Sequence, residues 1–173
     1  MDEGDEGQWR GWARDVATSV DWLMARFEDD YGFTPGPHEI RLASPATLVA
    51  VSDLRRDPLA PDDLASFYEV VDQVSLPDVG NGFFIHRADD VVTYSREEGG
   101  VFLPLADNPR GLPFGSTGGG LQYVVDWGGC VHRSTTASVE GDFETVAPSL
   151  QQFLERLRDA VVTFTETGAV VDV

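Results

Sequence analysis

Cys130 and His132 stand two residues apart in a stretch of strand-like composition, a spacing that puts both side chains on one face of a pleat and lets a thiol meet an imidazole base. Nucleophilic catalysis also needs a group to orient the base, and the other histidines, His38 and His86, lie in distant segments. A small buried thiol beside a strand histidine explains the same residues. Four acidic pairs, Asp29–Asp30, Asp62–Asp63, Asp89–Asp90 and Glu97–Glu98, are the groups available for acid–base work or for a hard cation. None has the alternating spacing of a calcium loop, and sequence neighbours point apart in helices and strands, so solvated faces are expected. The run Gly115-Ser116-Thr117-Gly118-Gly119-Gly120 offers backbone N–H groups to a phosphate, but such a loop must lead into a helix, and here Leu121–Asp126 is β-patterned. Its glycines read as a turn or bulge. Scattered single Cys and His residues do not make a zinc site. No catalytic, cofactor or metal set is assigned.

The 173 residues carry 12 basic and 30 acidic side chains, for a formal net charge of -18, and 42% are hydrophobic. A chain of this length buries enough surface for one core without staples, so a single domain is expected. Every basic residue is arginine; without lysine, Schiff-base chemistry, a P-loop clamp and a lysine base are all excluded. The acid excess argues against direct nucleic-acid binding, which rests on clustered positive charge. A lone cysteine rules out an internal disulfide and fits a reducing compartment. Met1–Gly7 is acidic and lacks the apolar run of a secretory signal, and no stretch approaches the roughly 20 apolar residues of a membrane span, so a soluble cytoplasmic protein is expected.

Residues 1–7 read as a disordered acidic tail ahead of a domain over residues 8–173. Trp9, Trp12, Val16, Val20, Leu23 and Phe27 recur every three or four residues and predict a helix that stops by Gly32, with Trp22 at the margin of its buried stripe. Glu39–Ala43 reads as a short strand. Ser44-Pro45 has the form of a helix start, although Thr47–Val51 is β-branched enough to be a strand. A second helix follows Pro61, with Asp62-Asp63 at its positive end, and is expected to run through Leu64, Phe67, Tyr68 and Val71 to about Val74. From Gly82 the pattern becomes β: Phe83–Ile85, Val101–Leu105, Leu121–Asp126 and Cys130–Thr135, the last two joined by Trp127-Gly128-Gly129. Helical spacing returns over Pro148–Phe164, and Ala169–Val173 closes as a candidate strand. The layout is α+β, a mainly antiparallel sheet packed with helices.

The order of short motifs adds a resemblance. Pro61–Tyr68 with its Phe67-Tyr68 pair, Asn81–Ile85, Phe114–Gly120, Asp126–Val131 and Ser149–Leu157 with Phe153-Leu154-Glu155 resemble the SMI1/KNR4 (SUKH) family over residues 45–165. In that family an aromatic pair precedes the sheet, a central strand ends at a Gly-Ser or Gly-Gly turn, and the last helix carries Phe-Leu-Glu. The region before Pro61 departs from the pattern, and the helix with Trp9 and Trp12 stands as an addition. The resemblance implies no catalytic residues and no cofactor. Its bacterial members look like immunity proteins that neutralise a toxin, often a nuclease, which would give the acidic charge a use: covering a basic, substrate-binding surface. Its eukaryotic relatives point instead to an intracellular interaction or regulatory module. If a basic toxin domain is the partner, the contact residues expected from position are Asp89, Asp90, Glu97, Glu98 and Trp127, on the sheet face and its loops.

Overall fold

The computed structural model describes residues 3–104 and 106–173. The N-terminal stripe forms α1 (Glu3–Met24), continued after a short break by α2 (Phe27–Tyr31). Helix therefore reaches back to Glu3, into the stretch expected to be a disordered tail. Asp and Glu side chains are favourable in a helix's first turns, and Glu6 pairs with Arg10 one turn on at 2.7 Å. Met1 and Asp2 lie outside the described residues. The expected strand and helix follow as β1 (Glu39–Leu42) and α3 (Pro45–Leu54). Ser44 caps α3 by accepting from the Thr47 amide while the Thr47 hydroxyl accepts from the Ser44 amide, so this reciprocal cap decides for helix over the β-branched alternative.

Two expectations are corrected next. The second helix, α4 (Asp62–Tyr68), stops six residues short of Val74, and β2 (Val71–Leu76) takes over, paired antiparallel to β1. Val71 and Val74 continue the spacing of three, but they are β-branched, and Val74 and Leu76 alternate inward beside half-buried Gln73 and Ser75. After β3 (Phe83–Ile85) the chain enters a helix, α5 (Ala88–Glu98), where an unbroken β region was expected. Acidic Asp89 and Asp90 in its first turn and Arg96 in its last complement the helix dipole.

The remaining strands are β4 (Val101–Phe102), β5 (Arg110–Thr117), β6 (Gln122–Asp126), β7 (Val131–Ser134) and β8 (Phe143–Ala147), before the last helix α6 (Leu150–Thr167). Leu105, placed by the sequence in the fourth strand, lies outside the described residues. The sheet is antiparallel throughout, in the order β1-β2-β3-β5-β6-β7-β8, with β4 also pairing with β5. The closing segment Ala169–Val173 forms no strand. It is held instead by Arg133, whose Nη1 reaches Asp172 Oδ1 at 2.5 Å and the Val173 carbonyl at 3.2 Å.

One face of the sheet carries the main core. Leu112, Tyr123, Val125, Val131 and Ala147 sit under α1, α4 and α6, with the rings of Phe114 and Tyr123 packed on Phe153 of α6. Helix α1 belongs to this core: Trp9 and Trp12 meet Phe67 edge to face at 5.7 and 5.6 Å, and Trp12 Nε1 donates to the Leu154 carbonyl at 2.7 Å. Residues that pair across strands share a face, so Pro113, Val124, His132 and Thr145 line the opposite side. There Val101, Leu103 and Val124 form a smaller cluster, covered by Tyr94, Ala106, Val139 and Phe143.

Two outcomes follow for stability. Trp12→Phe removes the indole N–H that gives the helical Leu154 carbonyl a second hydrogen bond and leaves a smaller ring in the core, and a loss of about 1–3 kcal/mol in urea unfolding is expected. Burial pushes the Tyr123 phenol up to about 12 and Tyr68 well above its usual value. A phenol raised in the folded state stabilises fully below the unfolded value of about 10 and loses that contribution as pH climbs to the folded one. Stability is expected to fall between pH 10 and 12, and Tyr123→Phe to flatten that fall in a thermal-melt series.

Candidate functional site

The β6–β7 hairpin is built around one buried carboxylate. Asp126 is 2% exposed; its Oδ1 accepts from the amides of Gly128 at 2.9 Å and Cys130 at 3.0 Å. Its Oδ2 lies 3.2 Å from His132 Nε2, and His132 Nδ1 lies 3.1 Å from the Thr145 hydroxyl on β8. A carboxylate only accepts, so Nε2 carries the proton of that contact. The turn closes with the Gly129 amide donating to the Asp126 carbonyl at 2.9 Å, at a left-handed φ of 89° that favours glycine. At its tip Trp127 is 59% exposed. The neighbouring loop braces the turn: a Cβ on Gly128 would come within 2.8 Å of the Asn108 side chain.

In this geometry Cys130 and His132 take different partners. Cys130 precedes β7 and directs its Sγ at the Pro148 carbonyl, 3.4 Å away, while both nitrogens of His132 have other partners. Burial, then the charges of Asp126 and Asp107, push the Cys130 thiol up, away from thiolate character. The glycine-rich run is the end of β5, Gly115–Thr117, and the β5–β6 turn at Gly118–Gly120, which packs against the β2–β3 connection. The Gly118 amide donates to the Asn81 carbonyl at 2.9 Å, and a Cβ there would sit 2.5 Å from that oxygen. Close approach of two backbones explains the glycine. Among the described residues no group of three His, Cys, Asp or Glu side chains is placed to hold a metal ion.

The five residues expected at a partner surface are all exposed, but four of them are on a helix. Asp89, Asp90, Glu97 and Glu98 lie on α5, which connects β3 to β4, and were expected on sheet or loop. The helix ends beside the hairpin. Arg110 Nη1 donates to the Gly99 carbonyl at 2.5 Å, Arg110 pairs with exposed Phe102, and the next residue, Gly111, pairs with Asp126. Glu97, Glu98 and Trp127 thus belong to one end of the sheet. Asp107, whose charge reaches Cys130, adds to the same end. Asp89 and Asp90 occupy the far end of α5, about 10 Å away at 1.5 Å per residue. Asp89 lies 3.4 Å from the Arg87 guanidinium.

Asp90 belongs to a second feature that the sequence did not reveal. It lines a cavity of about 160 Å³ between α5 and the sheet, together with His86, Tyr94, Pro113, Gln122 and Val139. His86 Nε2 lies 3.3 Å from Ser116 Oγ, and burial lowers the His86 pKa against the opposing charge of Asp90. Asp90 and Tyr94 stand at i and i+4, a spacing that becomes visible only once α5 is known to be a helix.

Compared with known proteins, the chain matches no protein-family model and no curated protein. No helix among the described residues is long and apolar enough to cross a membrane.

Asp126 is the residue on which the hairpin tip depends. Asp126→Ala leaves the Gly128 and Cys130 amides and His132 Nε2 without their acceptor, and a destabilisation of about 3 kcal/mol or more is expected in urea unfolding. The exposed Trp127→Ala is expected to stay within about 0.5 kcal/mol of the parent.

Proposed function

We propose that the chain is an SMI1/KNR4-like immunity protein, which binds a basic toxin domain and occludes the surface that the toxin uses on its own substrate. The observation that carries this reading is Trp127: a large aromatic side chain 59% exposed on a turn fixed by a buried carboxylate, at the end of the sheet where Glu97, Glu98 and Asp107 gather. Pre-set aromatic anchors surrounded by polar residues are where binding energy concentrates in protein interfaces. Phe102, 62% exposed and paired with Arg110, extends the apolar surface.

The charge gives the encounter its direction. At -18 the chain sets up a negative field that raises the association rate with a basic partner and disfavours acidic ones. A nuclease toxin carries positive charge for its substrate, so covering that surface also competes with nucleic acid. An interface of the usual size, about 800 Å² per partner, reaches from the Trp127 turn across the C-terminal end of α5.

The test is a search of the neighbouring reading frames for a protein that ends in a small basic domain, followed by co-expression with that domain, scored by restored growth and by co-purification at 1:1. Trp127→Ala is expected to weaken the complex by about 2 kcal/mol, roughly thirtyfold. The Glu97→Lys/Glu98→Lys double variant is expected to slow association and flatten its salt dependence, with little change in dissociation. Recovery of several unrelated partners at low affinity, with an association rate indifferent to salt, would identify a general interaction module instead.

A further inference from the structure

The cavity beside α5 combines features that no surface carboxylate has alone. One wall is α5, with Asp90 at its mouth and the Tyr94 ring one turn further on; the others are Pro113 of β5, Gln122 of β6, Val139 and the imidazole of His86. Its volume of about 160 Å³ is about ten times the smallest space that takes a water, so it admits a group of several heavy atoms. Pro113, Val139 and the Tyr94 ring supply apolar contact. Among the described residues no cation is paired with Asp90: the nearby Arg87 guanidinium lies 3.6 Å from Asp72 and 3.4 Å from Asp89. Burial holds His86 below its ordinary value, so at neutral pH its ring adds no positive charge to the space.

A negative group at the mouth, an aromatic ring, apolar sides and a carboxamide in the lining make the complement of an alkyl cation. We propose that this cavity receives the guanidinium or ammonium end of one arginine or lysine side chain from the basic partner. The inference rests on the reading of a basic partner and deepens it by naming the group that is read and the residues that read it. Asp90 accepts from the N–H fork or ammonium, Tyr94 lies against the cation, Pro113 and Val139 enclose the alkyl stem, and the Gln122 carboxamide faces the head group. The position fits a rim contact about one helix length from Trp127, so one partner engages both ends of α5.

The test uses the full chain and no partner, which keeps its failure distinct from a failure of toxin binding. Nα-acetyl-arginine methylamide, Nα-acetyl-lysine methylamide and the neutral isostere Nα-acetyl-citrulline methylamide are titrated into ¹⁵N-labelled protein. The two cationic compounds are expected to shift the amides of His86, Tyr94 and Gln122 along one saturating curve, and the citrulline compound to leave them unmoved. Asp90→Asn is expected to weaken the cationic response by about tenfold with the remaining spectrum unchanged. Equal shifts with citrulline, shifts scattered over the acidic surface, or a response unaltered by Asp90→Asn would overturn the assignment. With the partner in hand, capture that is lost in Trp127→Ala but undiminished in Asp90→Asn would reject the cavity while leaving the partner-binding role intact.

Discussion

A carboxylate with almost no access to water must have both oxygens hydrogen-bonded within the protein, and at Asp126 three groups do this. Two backbone amides of the following turn, Gly128 and Cys130, and the imidazole of the next strand converge on it, and that imidazole passes the constraint to β8 through Thr145. Removing water from such a group is costly unless these partners are all in place, so turn, strand and edge strand take one arrangement or none. The backbone agrees with the side chain: Asp126 also exchanges amide and carbonyl contacts with Cys130 and Gly129. What the sequence offers as a cysteine–histidine pair is, in the fold, an aspartate–histidine pair, with the thiol hydrogen-bonded to the Pro148 carbonyl.

The second constraint is topological. Strand β5 is paired by β3 along its C-terminal half and by β4 at its start, so the connection between those two short strands must return to the same edge of β5. Helix α5 makes that return, burying Ala88, Val91 and Val92 in the main core and sending Tyr94 to the smaller cluster on the opposite face. Ser95 of α5 donates to the Asp57 carboxylate and Arg96 pairs with Asp53, which fixes the outer flank against α3 and the loop after it. The remaining flank carries Asp90, Tyr94 and the two terminal glutamates, and its orientation toward the sheet creates the cavity.

Much of this architecture could be read from residue patterns, and the failures have physical causes. Helices α1 and α6 are long enough for several turns of a single apolar stripe, and Ser44 and Ser149 mark helix starts by chemistry that acts locally. The boundary after Tyr68 was illegible because Val71 and Val74 satisfy a helical spacing, while their strand pairing depends on β1, thirty residues earlier. Helix α5 was missed because it presents only three fully buried apolar residues and sits between β segments; Asp89-Asp90, Arg96 and Gly99 were its only local signals. Trp127 could be singled out as a tip residue from its glycine neighbours. Its support by Asp126, and the meeting of His86, Asp90 and Gln122, depend on cross-strand register that no short window contains.

Because the hairpin's shape is set by groups behind the tip, the identity of residue 127 is free of any duty to the fold. Its side chain is exposed, while the fixing contacts belong to Asp126, Gly128, Gly129 and Cys130. Such a division lets the exposed surface change while architecture stands still: exchanging one side chain alters what the tip presents without rebuilding the turn beneath it. On the partner-binding role proposed for this turn, new specificities would arise here in single steps, each starting from a molecule that already folds.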